Sequence, residues 1–190
     1  LKIVAKLIAG GLKTKLYLVQ LGGFDTHDSQ VMASDHTRGE HANLLQELSE
    51  AVTAFMHDCD GLGVSDKVMG MTFSEFGRKI KSNAGNGTDH GSAAPMIIFG
   101  NCLNAGVIGD NAQIASNVSN QEGVAMQYDF KWVYGSILMD WFGVPEDKVK
   151  MLLTDDFQYL PIIGTCNEIP TSSNGLTSVL DAEAFPNPFD

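Results

Sequence analysis

Leu16-Tyr17-Leu18-Val19-Gln20-Leu21-Gly22-Gly23-Phe24-Asp25-Thr26-His27 begins as an apolar run and ends with a carboxylate and an imidazole two residues apart. Residues 16–21 have the length and composition of a short buried strand. The glycine pair lets the chain leave that strand in a tight loop. Charge and a metal-capable nitrogen therefore arrive where a strand empties into a loop, and the segments around this point set the fold that is expected.

Downstream, residues 37–58 carry Leu44, Leu45, Leu48, Val52, Phe55 and Met56 at three- and four-residue spacing, with Glu40, Glu47 and Glu50 mostly off that stripe. This is the pattern of an amphipathic helix. Val68-Met69-Gly70-Met71-Thr72-Phe73 reads as a second buried strand and Pro95-Met96-Ile97-Ile98-Phe99 as a third. Strand, helix and strand in this order predict a right-handed βαβ unit. The expected fold class is therefore α/β, with a mostly parallel central sheet and helices on both faces. Upstream, residues 1–12 read as a helix ended by Gly10-Gly11; it opens without a cap, so a preceding segment is expected. Residues 129–142 predict another helix stopped by Gly143, and Pro145 opens a short one over 146–152. From Gly164 the chain turns linker-like. Residues 1–163 are expected to form one domain and 164–190 a linker with a terminal segment.

The whole chain has 190 residues, 44% of them hydrophobic and 18% charged, which is ordinary globular composition. A net charge of −11 argues against nucleic acid as a partner, since nothing neutralises a phosphate backbone. No stretch reaches the apolar length of a membrane span. Cys59, Cys102 and Cys166 are widely spaced and form no CxxC pair, so a thiolate metal site is not expected. One disulfide with one free thiol and three buried thiols both fit.

In an open parallel sheet, ligands bind beyond the carboxyl ends of the strands. Asp25 and His27 follow the first expected strand, Ser74-Glu75-Phe76-Gly77-Arg78 follows the second, and Asp89-His90-Gly91 lies in the loop running back to the third. His41 precedes Leu45 and Leu48 at helical spacing, so it is expected on the buried side of its helix, aimed at the same edge. Neutral imidazole and carboxylate suit zinc, manganese or iron, and such clusters polarise phosphoryl oxygens or acidify water. Plainer roles stand beside this one. An Asp-x-His can be a solvated turn, Glu75 and Arg78 an ion pair near a helix start, Asp89 a helix cap, and His41 a packed, hydrogen-bonded histidine. His36 and His57 are expected to face solvent.

Leu-Gly-Gly-Phe-Asp-Thr-His at 21–27, Thr-Phe-Ser-Glu-Phe-Gly-Arg at 72–78 and Gly-Thr-Asp-His-Gly at 87–91 resemble the domain-of-unknown-function 1501 family. The likeness extends over about residues 1–163, including the Val133-Tyr134 to Val144 segment. That family is grouped with the alkaline phosphatase-like superfamily, in which two metals sit at the carboxyl edge of a central sheet beside a Ser or Thr nucleophile. The resemblance implies Asp25, His27 and His90 as ligands of one metal and Glu75 as a ligand of a second. It implies Asp89 as a ligand or as the group orienting His90, and Arg78 as a contact for an anionic substrate oxygen or a partner of Glu75. The metal implied is a divalent ion, zinc first, with manganese, iron or calcium as alternatives. Family members are longer, so the resemblance also implies a missing N-terminal segment, or a partner chain, that carries the nucleophile. Ala184-Phe185-Pro186-Asn187-Pro188-Phe189-Asp190 is similar to the start of the type IX secretion sorting domain of Bacteroidetes, which implies export to the cell surface or medium.

Two functions follow as expectations. The first is a metal-dependent hydrolase of small anionic phosphate or sulfate esters, with Arg78 and His41 in catalytic roles. The second is a catalytically inactive secreted binding or structural protein, possible as part of a cell-surface assembly.

Overall fold

The computed structural model describes residues 1–166. Helix α1 (Lys2–Ala9) packs on α2 (Glu40–Gly61); a 3-10 turn (Ser65–Lys67) leads into strand β1 (Met69–Met71). Strands β2 (Gly77–Ser82), β3 (Thr88–Gly91) and β4 (Ile98–Gly100) follow, and helices α3 (Phe130–Asp140) and α4 (Glu146–Leu152) close the described part.

The expected parallel sheet is corrected by the pairing. Among the described residues there are two antiparallel two-stranded sheets, β1 with β4 and β2 with β3, and no parallel pair. In the first, Met69 faces Gly100 and Met71 faces Ile98; in the second, Gly77 faces Gly91 and Arg78 faces His90. An antiparallel partner needs no helical crossover. The chain leaves β1, makes the β2–β3 hairpin, and returns along β4, so α2 connects no two parallel strands. Residues 16–21 join neither sheet. Among the described residues no backbone hydrogen bond links 13–23 to other backbone, and Leu16 and Leu18 stand 78% and 81% exposed. An apolar run shows that a strand is affordable there; it does not supply a partner.

The β1–β4 ribbon separates two apolar clusters. Ala5, Phe55, Cys59 and Val68 are buried on one side, joined by Leu1, Val4, Ile8, Met56 and Phe99. Ile137, Leu160 and Ile162 are buried on the other, against Met69, Met71, Ile98 and Trp132. The period of two explains the split: Ile98 and Phe99 are adjacent and so point to opposite faces. Gly70 leaves room for Phe99, whose ring occupies the space a β-carbon there would take.

The helices stop near the residues the sequence marks, although α2 runs over Glu40–Gly61 rather than 37–58 and α3 over Phe130–Asp140 rather than 129–142. At α1 the Leu12 N–H bonds the Leu7 carbonyl and the Gly11 N–H bonds that of Ile8, with Gly11 at φ +79°, a conformation open to glycine at little cost. Asp129 caps α3 by accepting from the Lys131 N–H at 2.8 Å. Of the three cysteines, Cys102 and Cys166 form a disulfide and Cys59 is a buried free thiol. Among the described residues, no helix is long and apolar enough to cross a membrane. The similarity of 184–190 to a sorting domain lies outside the described residues.

Candidate functional site

The loop that carries Asp25 and His27 is built from two successive three-residue turns, in which Thr26 N–H bonds the Phe24 carbonyl and His27 N–H bonds that of Asp25. Thr26 between them is buried at 2% exposure, while Asp25 and His27 face outward. Arg78, on β2, fixes this loop from beneath. Its guanidinium donates to the Phe24 and Thr88 carbonyls and, at 3.3 Å, to the Thr26 hydroxyl. One side chain from β2 thus ties the 24–27 loop to β3.

The turn between β2 and β3 presses against the same loop. Ser29 N–H bonds the Gly85 carbonyl and Val31 N–H bonds that of Asn86. A β-carbon at Gly87 would lie 2.3 Å from the His27 carbonyl oxygen, so only glycine permits this approach. The hairpin then delivers His90 beside Asp25. His90 Nε2 is 2.8 Å from Asp25 Oδ1, and His27 Nε2 is 3.2 Å from that same oxygen. The two imidazoles lie 4.6 Å apart between ring centroids, and Phe76 stacks on His90 at 3.9 Å with its ring nearly parallel. Asp89 completes the group, its Oδ1 3.3 Å from His27 Nδ1 and its Oδ2 3.7 Å from Lys79 Nζ.

Both carboxylates are held in their charged forms. The His90 hydrogen bond keeps Asp25 below the ordinary carboxylate range, helped by His27 and Arg78 and opposed by desolvation. Hydrogen bonds from Asn83 and His27 do the same for Asp89. Asp25, His27 and His90 each offer one ligand atom, and these atoms lie within 4.8 Å of one another. Two imidazole nitrogens and one carboxylate oxygen are a donor set that suits zinc. Of the three, His90 and Asp25 are hydrogen-bonded directly, while His27 lies within ion-pair distance of Asp25 and hydrogen-bonds Asp89.

The structure therefore brings together Asp25, His27, Asp89 and His90, with Arg78 behind them. Glu75 is outside the grouping and forms no hydrogen bond or ion pair among the described contacts. Arg78 does not pair with Glu75; it is committed to backbone carbonyls, with Asp25 Oδ1 at 3.8 Å. Asp89 caps no helix, since it lies in β3, and the imidazole it contacts is that of His27 rather than His90. His41 sits in the first turn of α2, edge-on to Phe24 at 6.0 Å. Its Nδ1 is buried with no partner among the described residues, and desolvation, with the charge of Arg78, holds the ring below the ordinary histidine range. Asn83 and Phe76 were not legible as site residues. The one signal for Asn83 is its place ahead of two glycines in Asn83-Ala84-Gly85-Asn86-Gly87, which marks a turn rather than a site.

The sequence matches the family described as "Protein of unknown function (DUF1501)" over residues 11–128, which takes in all three motifs of the candidate site but not the segment from Val133 to Val144. No curated protein matches the chain. No solved structure matches it either.

Proposed function

The chain belongs to the DUF1501 family, and from that premise we propose that it carries a divalent-metal centre serving the hydrolysis of phosphate or sulfate esters. The observation that supports this most is the meeting of two imidazole nitrogens, from segments 63 residues apart, on one oxygen of Asp25. The likeness of the three motifs to the alkaline phosphatase-like superfamily points the same way. Asp25, His27 and His90 hold the ion in this reading, with zinc first and manganese, iron or calcium as alternatives. When bound, the ion polarises an ester oxygen.

The chain's own residues prepare that site. Asp25 supplies negative charge, and the two histidines supply neutral nitrogens. Asp89 accepts the proton on the far side of His27, the arrangement that orients a ligating imidazole. Arg78 positions the Asp25 loop through the Phe24 and Thr88 carbonyls, His41 offers an unsatisfied ring nitrogen for proton transfer, and Glu75 is an exposed carboxylate open to a second ion. The attacking hydroxyl comes from a preceding segment or a partner chain. The Cys102–Cys166 disulfide fits an oxidising compartment, and with the motif at 184–190 it supports export to the cell surface or medium.

A second reading is a catalytically inactive secreted binding or structural protein, and the position of Glu75 outside the cluster favours it. Hydrolysis of aryl phosphate and aryl sulfate esters by the zinc-loaded chain, beside the His90→Ala variant, separates the two. Turnover that is lost in His90→Ala supports the hydrolase. No turnover of either ester by the zinc-loaded chain, alone or with its preceding segment restored, leaves the inactive protein.

A further inference from the structure

Asn83 uses the full capacity of its side-chain amide. Its Oδ1 accepts from the Gly85 N–H at 2.9 Å and the Gly87 N–H at 3.2 Å, which shapes the turn between β2 and β3. Its Nδ2 donates across to the neighbouring loop, to the His27 carbonyl at 2.8 Å and to Asp89 Oδ1 at 3.2 Å. An amide with two donors and two acceptor sites has nothing left over. The oxygen of Asp89 that Asn83 holds is also the one 3.3 Å from His27 Nδ1.

His27 faces a carboxylate at each ring nitrogen, Asp89 at Nδ1 and Asp25 at Nε2. A neutral imidazole carries one proton, and the stronger acceptor geometry decides which nitrogen keeps it. Asp25 Oδ1 accepts from His90 Nε2 at 2.8 Å, and its 3.2 Å approach to His27 Nε2 is not directed as a hydrogen bond, whereas the contact of Asp89 Oδ1 with Nδ1 is. Asp89 is clamped at Oδ1 by Asn83 and flanked at Oδ2 by Lys79, so it cannot turn away from Nδ1 without breaking the Asn83 contact.

We infer that Asn83 is a positioning residue: by holding both the His27 backbone and Asp89 Oδ1, it selects the Nδ1–H tautomer of His27 and leaves Nε2 as a free base on the side shared with Asp25 and His90. The consequence for metal affinity rests on the ion-binding reading above; the tautomer does not.

The test is the long-range 15N–1H spectrum of the histidine rings in the full metal-free chain, recorded above the pH of imidazole titration. Wild type is compared with Asn83→Asp and Asn83→Ala. Asn83→Asp keeps an oxygen for the Gly85 and Gly87 N–H groups, which preserves the turn, but it also sets a negative charge beside Asp89 Oδ1; Asn83→Ala removes the donors without that charge. The expected result is a His27 ring protonated at Nδ1 in wild type and shifted toward Nε2–H in both variants. A zinc titration is expected to show affinity falling roughly 10- to 100-fold in Asn83→Ala, the usual cost of losing an outer partner of a ligand. A wild-type ring protonated at Nε2, or identical His27 signals in all three proteins, overturns the inference. Wild type that takes up no zinc overturns the metal centre, while the ring spectra still decide the role of Asn83.

Discussion

Arg78 is the residue on which the site's geometry turns. Its planar guanidinium reaches the Phe24 carbonyl, the Thr88 carbonyl and the Thr26 hydroxyl at once. A lysine ammonium at that position cannot span two carbonyls in a fixed plane. Hydrogen bonds from charged donors contribute about 1.5–3 kcal/mol each. Arg78→Lys is therefore expected to lower stability by about 2 kcal/mol in denaturant unfolding and to broaden the His27 and His90 resonances. An unchanged unfolding midpoint would show that the loop and the hairpin hold together without the guanidinium. That anchoring role was hidden in the sequence, because an Arg three residues after a Glu reads first as an ion pair. Asp25, His27 and His90 are legible as candidates, because Gly22-Gly23-Phe24-Asp25-Thr26-His27 and Gly87-Thr88-Asp89-His90-Gly91 each pair a carboxylate with an imidazole close to glycine. Asn83 is not, because an Asn before glycines is ordinary turn chemistry.

The elements were read with uneven success, for a physical reason. A helix announces its own ends: Asp129 caps α3, Pro145 precedes α4, and Gly143, at φ +68°, follows the last turn of α3. A strand announces only that it is apolar, and its partner is chosen by the rest of the chain. Val68–Phe73 and Pro95–Phe99 thus read as strands while their antiparallel pairing stays hidden, and the β2–β3 hairpin reads as loop and helix start. Ser136 shows how one element fixes another. Wholly buried in α3, it donates to the Trp132 carbonyl at 2.7 Å and accepts from the Leu160 N–H at 2.8 Å. Ser136→Ala leaves that buried N–H without a partner, at a cost of about 1–3 kcal/mol. Chemical denaturation is expected to show this loss, together with faster amide exchange at Leu160. Exchange at Leu160 as slow as in wild type would mean that the serine is not what holds residues 157–163 on α3.

At the scale of the molecule, the described chain consists of two small apolar clusters on either side of one short ribbon, tied at one margin by the Cys102–Cys166 disulfide. The cysteines are 64 residues apart, and in the chain-entropy account closing such a loop stabilises the fold by about 4 kcal/mol. Cores this small leave little to spare. Reduction, or Cys166→Ser, is expected to lower the unfolding free energy by about 3–4 kcal/mol, read by urea titration with and without reductant. Superimposable titrations would place the stability elsewhere. The site is built on the loop and hairpin joined by Arg78.

On the proposed function, Asp25, His27 and His90 share one cation. Zinc added to the full chain and counted after exhaustive dialysis tests it most directly, with the zinc edge spectrum reporting the ligands. A stoichiometric zinc with nitrogen and oxygen ligands at about 2.0–2.2 Å is expected, lost in His27→Ala and His90→Ala and kept in His36→Ala. A wild-type chain that retains no zinc, or histidine variants that retain as much as wild type, would contradict it.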